Sequence, residues 1–154
     1  MPHAVISFES QNLVVRVLIS SRDTGGDYTG CEVQLIGPVD LPLHSHRYED
    51  QWVLVLEGHF RFQIGEEVVD GGPGTSVAVR SGTDFAIASA QPGKLFVVAR
   101  PGGLDLFLAD AHAAQSSPSK PETWFQVLEK HGIVLPAGPE AKGCDKIAAY
   151  DVRR

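Results

Sequence analysis

Hydrophobic and polar residues alternate along this chain in short runs, each closed by glycine, proline or aspartate. Residues 4–8 and 12–19 are rich in β-branched side chains and are separated by a polar break, so both are predicted strands. The Asp23-Thr24-Gly25-Gly26-Asp27 cluster predicts a turn, because glycine reaches positive φ and aspartate bonds its own backbone. Residues 28–36 alternate again and form the next strand. Pro38 and Pro42 remove backbone donors from the segment that follows, which suits an irregular or edge position. An apolar run, Trp52 to Leu56, closes at Gly58, and His59 to Ile64 then alternates so that Phe60, Phe62 and Ile64 turn inward while His59 turns away. Further strands are predicted at Val68–Val69, Ser76–Val79, Phe85–Ser89 and Lys94–Ala99. Short strands joined by Gly/Pro turns, with no helix between them, predict an antiparallel sandwich or barrel.

The period changes after Pro101-Gly102-Gly103. Leu104, Phe107, Leu108 and Ala111 recur at helical spacing, which predicts a short helix. Residues 115–120 read as a loop. Pro121 as a first helical position, Trp124, Phe125, Val127 and Leu128 along one side, and Gly132 as a stop predict a second helix. The tail from Pro136 has no strong period.

With 154 residues the chain is the length of one domain, a barrel over about 4–100 followed by a helical extension over about 103–154. A hydrophobic content of 43% and a charged content of 21% are ordinary for a globular fold. The net charge is −6 with no Lys/Arg cluster, which argues against a nucleic-acid partner. No apolar run approaches a membrane span, and the amino terminus carries no leader pattern, so the expected location is the cytoplasm. Cys31 and Cys144 fit no Cys-x-x-Cys site and read as reduced thiols.

The chemistry concentrates between Gly37 and Gly58. His44 and His46 are one residue apart and share a face if they lie on a strand. Asp50 and Gln51 follow shortly after. This segment resembles the first sequence motif of the cupin superfamily: glycine, a gap, His-x-His, three or four residues, glutamate, six residues, glycine. Counting six residues back from Gly58 places Gln51 where the acid stands, and the shorter gap places Asp50 there. Residues 74–89 resemble the second cupin motif. Arg80 stands at its proline, Gly82 matches, Phe85 occupies the histidine position and Ser89 the asparagine position. The order of sheet, Pro-Gly-Gly and helices resembles the small single-domain cupins labelled quercetin-dioxygenase-like.

The resemblance implies an all-β fold, an antiparallel double-stranded β-helix (jelly-roll) barrel with short C-terminal helices, and a homodimer as the usual assembly. Trp52, Leu54 and Leu56 form a second apolar face that the amino-terminal strands or a partner subunit must cover. It also implies a metal held by three histidines and a glutamate. This chain keeps His44 and His46, with Gln51 as a candidate third ligand and Asp50 as the alternative, so the cofactor expectation is none or one divalent transition metal. Without metal, a histidine inside an apolar barrel with Asp50 nearby is expected to titrate near neutrality and to serve in proton transfer. The leading functional expectation is a small-molecule enzyme using His44 or His46 as acid or base for a cyclisation, dehydration or isomerisation. Tyr48 and Gln51 are candidate hydrogen-bond donors, and Tyr28, Val53, Val55, Phe62 and Phe85 are candidate walls for an apolar or aromatic substrate. A metal-dependent dioxygenase and a non-catalytic ligand binder are the alternatives. His3, His112 and His131 are expected in solvent, and the alternation that sends Phe85 inward turns Asp84 away from the site.

Overall fold

A computed structural model of the chain describes residues 4–116 and 123–136. His3, Pro121, Cys144 and the tail beyond Pro136 lie outside these residues.

Eleven strands form among the described residues. They are β1 (Ala4–Phe8), β2 (Leu13–Ile19), β3 (Thr29–Leu35), β4 (Val39–His46), β5 (Asp50–Glu57), β6 (Phe60–Ile64), β7 (Glu67–Gly71), β8 (Ser76–Val79), β9 (Phe85–Ser89), β10 (Gly93–Arg100) and β11 (Ile133–Val134). Two helices, α1 (Leu104–Ser116) and α2 (Trp124–Lys130), lie between β10 and β11. The strands build a six-stranded sheet, β1-β2-β3-β10-β5-β8, and a five-stranded sheet, β11-β4-β9-β6-β7, with every pairing antiparallel. From β3 to β6 the chain changes sheet at each connection, and it changes again from β7 through β10. This is the jelly-roll arrangement that the cupin resemblance implies, within the sandwich-or-barrel class that the strand spacing predicts.

The period-two patterns resolve as predicted. Along β5, Val53 and Val55 are buried while Trp52, Leu54 and Leu56 stay exposed. Phe60 and Phe62 are fully buried on β6 and stack with ring centroids 6.0 Å apart. Burying each such ring contributes about 1.5–3 kcal/mol, which makes this pair a principal anchor of the sandwich. Gly58 joins β5 to β6 at φ +88°, and a Cβ there would lie 2.9 Å from the Pro92 carbonyl, so both conformation and close approach call for glycine. The β1–β2 hairpin extends the six-stranded sheet sideways, leaving the outer row of β5 uncovered.

Three predicted boundaries move. The segment around Pro42 is a strand, but its pairing with β9 shifts register between Leu41 and His44, and beyond the two residues of β11 its other edge is free among the described residues. Helix α1 runs on to Ser116, so Gln115 is helical where a loop was expected. Helix α2 begins after Thr123, whose side chain accepts from the Gln126 backbone while the Gln126 side chain caps the Thr123 backbone. No described helix is long and apolar enough to cross a membrane.

Candidate functional site

His44 and His46 close strand β4 and point to the same side of it, each only 6% exposed, with ring centroids 5.2 Å apart. Strand alternation gives them the shared face, and β11 then holds the end of that strand by pairing Ile133 with His46 and Val134 with Ser45. The backbone N–H of Arg47 also donates to the Gly132 carbonyl at 2.7 Å.

Hydrogen bonding fixes the state of both rings. His44 Nδ1 lies 2.8 Å from the Pro42 carbonyl, which can only accept, so Nδ1 carries the proton and Nε2 the lone pair. Burial, reinforced by the neighbouring His46, pushes the His44 pKa down to about 3 against the opposing pull of the Pro42 bond. The expectation of near-neutral titration therefore fails for His44, because Asp50 is not beside it. His46 Nδ1 lies 3.0 Å from Oε1 of Glu49, a side chain 7% exposed in the turn after β4. With Glu49 as a carboxylate, His46 donates from Nδ1, so in the neutral ring the lone pair sits on Nε2.

Glu49 is the residue that sequence reasoning missed. Only two residues separate it from His46, one fewer than the motif spacing that points to Asp50 and Gln51. Asp50 is used elsewhere: its Oδ1 accepts from the Ser81 backbone N–H at 2.7 Å and lies 3.4 Å from Arg80 Nε. Gln51 is buried on β5 opposite Val79 and Ala99.

Phe85 faces His44 across the β4–β9 ladder, with ring centroids 4.4 Å apart, and lies 5.7 Å from the His46 ring. It stands at the histidine position of the second motif that the sequence resembles, and a phenyl ring cannot ligate a metal. Among the described residues no three His, Cys, Asp or Glu side chains gather as ligands. Two imidazoles, with Glu49 engaged on Nδ1 of one of them and a phenyl ring in third place, do not fit a three-histidine, one-glutamate centre.

Both histidines line a cavity of ≈ 210 Å³ whose other walls are almost wholly apolar. Val15, Val33, Ile87, Leu95 and Val97 contribute from the strands, and Leu104, Phe107, Leu108 and Leu128 from the helices that cover the barrel mouth. The predicted walls are thus largely replaced. Val53, Val55 and Phe62 are 1–2% exposed and packed solid in the sandwich interior rather than facing open space. Tyr28 is half-buried in the turn before β3, and Tyr48 is 54% exposed, its ring resting on Gly132. Neither reaches the cavity wall.

The remaining polar candidates sort by burial. His59 and Asp84 are exposed, as the alternation requires, and His112 is exposed too. His131 is not in solvent as expected: its Nε2 lies 2.7 Å from Asp110, bridging the end of α2 to α1. The pairing of Asp110 with His131 and Lys130 holds the Asp110 carboxyl below its usual range. Ser89 donates to the His59 and Gln91 carbonyls, a structural role. Cys31 lies on the cavity wall, but burial, with Asp105 adding to it, pushes its thiol up to about 12, so it is no nucleophile.

Residues 34–99 match the family model for the cupin domain. Among solved structures, the chain is similar to an RmlC-like cupin from Shewanella frigidimarina, with 17% identity and a TM-score of 0.58 over 67% of this chain and 87% of that one. KdgF from Halomonas sp. gives 18% identity and a TM-score of 0.58 over 68% and 91%. The polyketide cyclase RemF from Streptomyces resistomycificus gives 22% identity and a TM-score of 0.51 over 58% and 66%. At these identities the likeness establishes the fold. No curated protein matches the sequence.

Proposed function

We propose that this chain, which matches the cupin domain over residues 34–99, is a small-molecule enzyme working by proton transfer, with His46 as the base and Glu49 as its positioning residue. The observation that carries this reading is the buried Glu49–His46 hydrogen bond at 3.0 Å, with the ring itself on the wall of an apolar cavity. A carboxylate on Nδ1 fixes the tautomer that leaves Nε2 free, as in other acid–base pairs. Nε2 takes a proton from an activated carbon, and the electron pair enters conjugation with a neighbouring carbonyl. The resulting imidazolium lies against the Glu49 carboxylate. Returning the proton to another carbon completes an isomerisation. Delivering it to a leaving hydroxyl releases water, and attack of the carbanion on a second carbonyl closes a ring whose alkoxide takes the proton back from the imidazolium.

His44 has a different task. A ring held neutral down to about pH 3, with its only N–H donated to the Pro42 carbonyl, acts as an acceptor for a substrate O–H and not as an acid. The two imidazoles therefore divide the work that the sequence left shared. That a polyketide cyclase shares this fold supports cyclisation within the range considered. A metal-dependent dioxygenase is disfavoured by the donor set.

Exchange of the C1 protons of 2-tetralone with deuterium oxide, followed by NMR, tests the reading. Wild type is expected to accelerate exchange over buffer, and His46→Gln to lose most of that acceleration. A second copy of the chain is the proposed cover for Trp52, Leu54 and Leu56, which are 44%, 37% and 39% exposed. Sedimentation velocity should show a dimer in wild type and a monomer in Trp52→Glu; a monomeric wild type contradicts it.

A further inference from the structure

Among the described residues, two buried polar atoms on side chains of the cavity wall have no hydrogen-bond partner: Oε1 of Gln11 and Nε1 of Trp124. Gln11 lies in the short 3₁₀ turn between β1 and β2, and Trp124 is the first residue of α2, set by the Thr123 capping box. The Trp124 indole packs on Phe107 at 6.3 Å, and Phe107 in turn meets the His46 ring at 6.5 Å. An indole N–H can only donate and a side-chain amide oxygen can only accept, so a ligand must offer an acceptor to Trp124 and a donor to Gln11. Leaving such atoms buried and unpaired is costly.

The rest of the wall narrows the ligand further. Among the described residues no lysine or arginine lines the cavity, so a carboxylate or phosphate would meet no countercharge from them. A carbonyl would serve Trp124 and leave Gln11 unpaired, whereas a hydroxyl serves both. The ≈ 210 Å³ volume is below the roughly 300–1,000 Å³ usual for drug-sized ligands, which selects a compact frame. We propose that the ligand of this cavity is a compact, uncharged aromatic or alicyclic molecule bearing hydroxyl groups that accept from the Trp124 indole N–H and donate to the Gln11 side-chain oxygen. This rests on the cavity being the substrate site, as proposed above, and names the class of substrate it takes.

The test compares p-cresol with p-xylene, which differ by a hydroxyl in place of a methyl, on the full chain. Calorimetry gives the affinities, and ¹⁵N-tryptophan NMR follows the Trp124 indole N–H, with that of Trp52 as the internal control. Wild type is expected to prefer p-cresol by about tenfold, with a shift of the Trp124 indole resonance for p-cresol alone. Gln11→Leu and Trp124→Phe should each reduce the preference while p-xylene still binds, which also shows that the cavity is intact. Equal affinities, a preference surviving in both variants, an unmoved Trp124 resonance with p-cresol bound, or no binding of either probe would overturn the proposal. These readouts need no turnover. A preference without proton exchange sinks only the catalytic reading, and exchange without a preference sinks only this one.

Discussion

The Glu49 carboxylate reaches back three residues to hold His46 Nδ1 at 3.0 Å, both side chains being buried. A buried carboxylate left without its partner is costly, so this contact ties the orientation of one ring to the local fold of the turn that follows β4. The same contact occupies Nδ1 of one member of the histidine pair, which is the orientation that the proposed role of His46 as a base requires.

Glu49→Gln keeps the size of the side chain but allows its amide to donate to Nδ1, which favours the wrong tautomer. Proton exchange in the probe ketone should fall by about 100-fold or more, while thermal stability changes little by comparison. A rate within a factor of two of wild type would remove Glu49 from the mechanism.

Phe85→His restores an imidazole where the phenyl ring faces His44 at 4.4 Å. Cobalt(II) titration followed by visible absorption should show affinity tightening by roughly 100-fold over wild type, because a third nitrogen joins the pair. Near-stoichiometric cobalt on wild type, lost in a His44→Ala, His46→Ala double variant, would instead show that the existing donor set suffices.

His44 gives a signed pH dependence. Its folded pKa of about 3 lies below the ordinary 6.5, so between these values the unfolded chain binds the extra proton and stability falls as pH falls. The slope from this group alone is at most about 1.4 kcal/mol per pH unit. In urea unfolding between pH 4 and 6, His44→Gln should lose part of the slope that wild type shows. Identical slopes would mean that His44 is protonated in the fold.

Gly132 stands at φ +72°, and a Cβ there would meet the Tyr48 ring at 2.6 Å. Gly132→Ala should cost about 1–3 kcal/mol and loosen the β11 segment that pairs with His46. Gly65→Ala, at φ +59° with open space around it, supplies the comparison. Thermal unfolding should separate the two, and equal losses would show that Tyr48 yields freely.

Much of this architecture is legible in the sequence because strands with one buried face announce themselves by period two. The rows Val53/Val55 and Phe60/Phe62 were placed inward on that signal alone, and the His44/His46 pincer followed from the same geometry. Alternation reports which side is buried but not whether the buried space is filled. Val53, Val55 and Phe62 therefore looked like cavity walls although they pack solid, while the real walls come partly from α1 and α2, whose docking site no local period encodes. Glu49 escaped for another reason. The turn after β4 is tighter than the motif spacing assumes, so the acid that meets His46 comes earlier in the chain. Strand β11 escaped because two residues, Ile133 and Val134, carry no period.

The most direct test of the central claim is deuterium exchange at C1 of 2-tetralone by wild type, His46→Gln and His44→Gln under identical conditions. Proton transfer through His46 predicts acceleration by wild type and a loss of about 10²–10⁴-fold in His46→Gln, with a smaller loss in His44→Gln. Exchange no faster than buffer, or equal rates in wild type and His46→Gln, would contradict it.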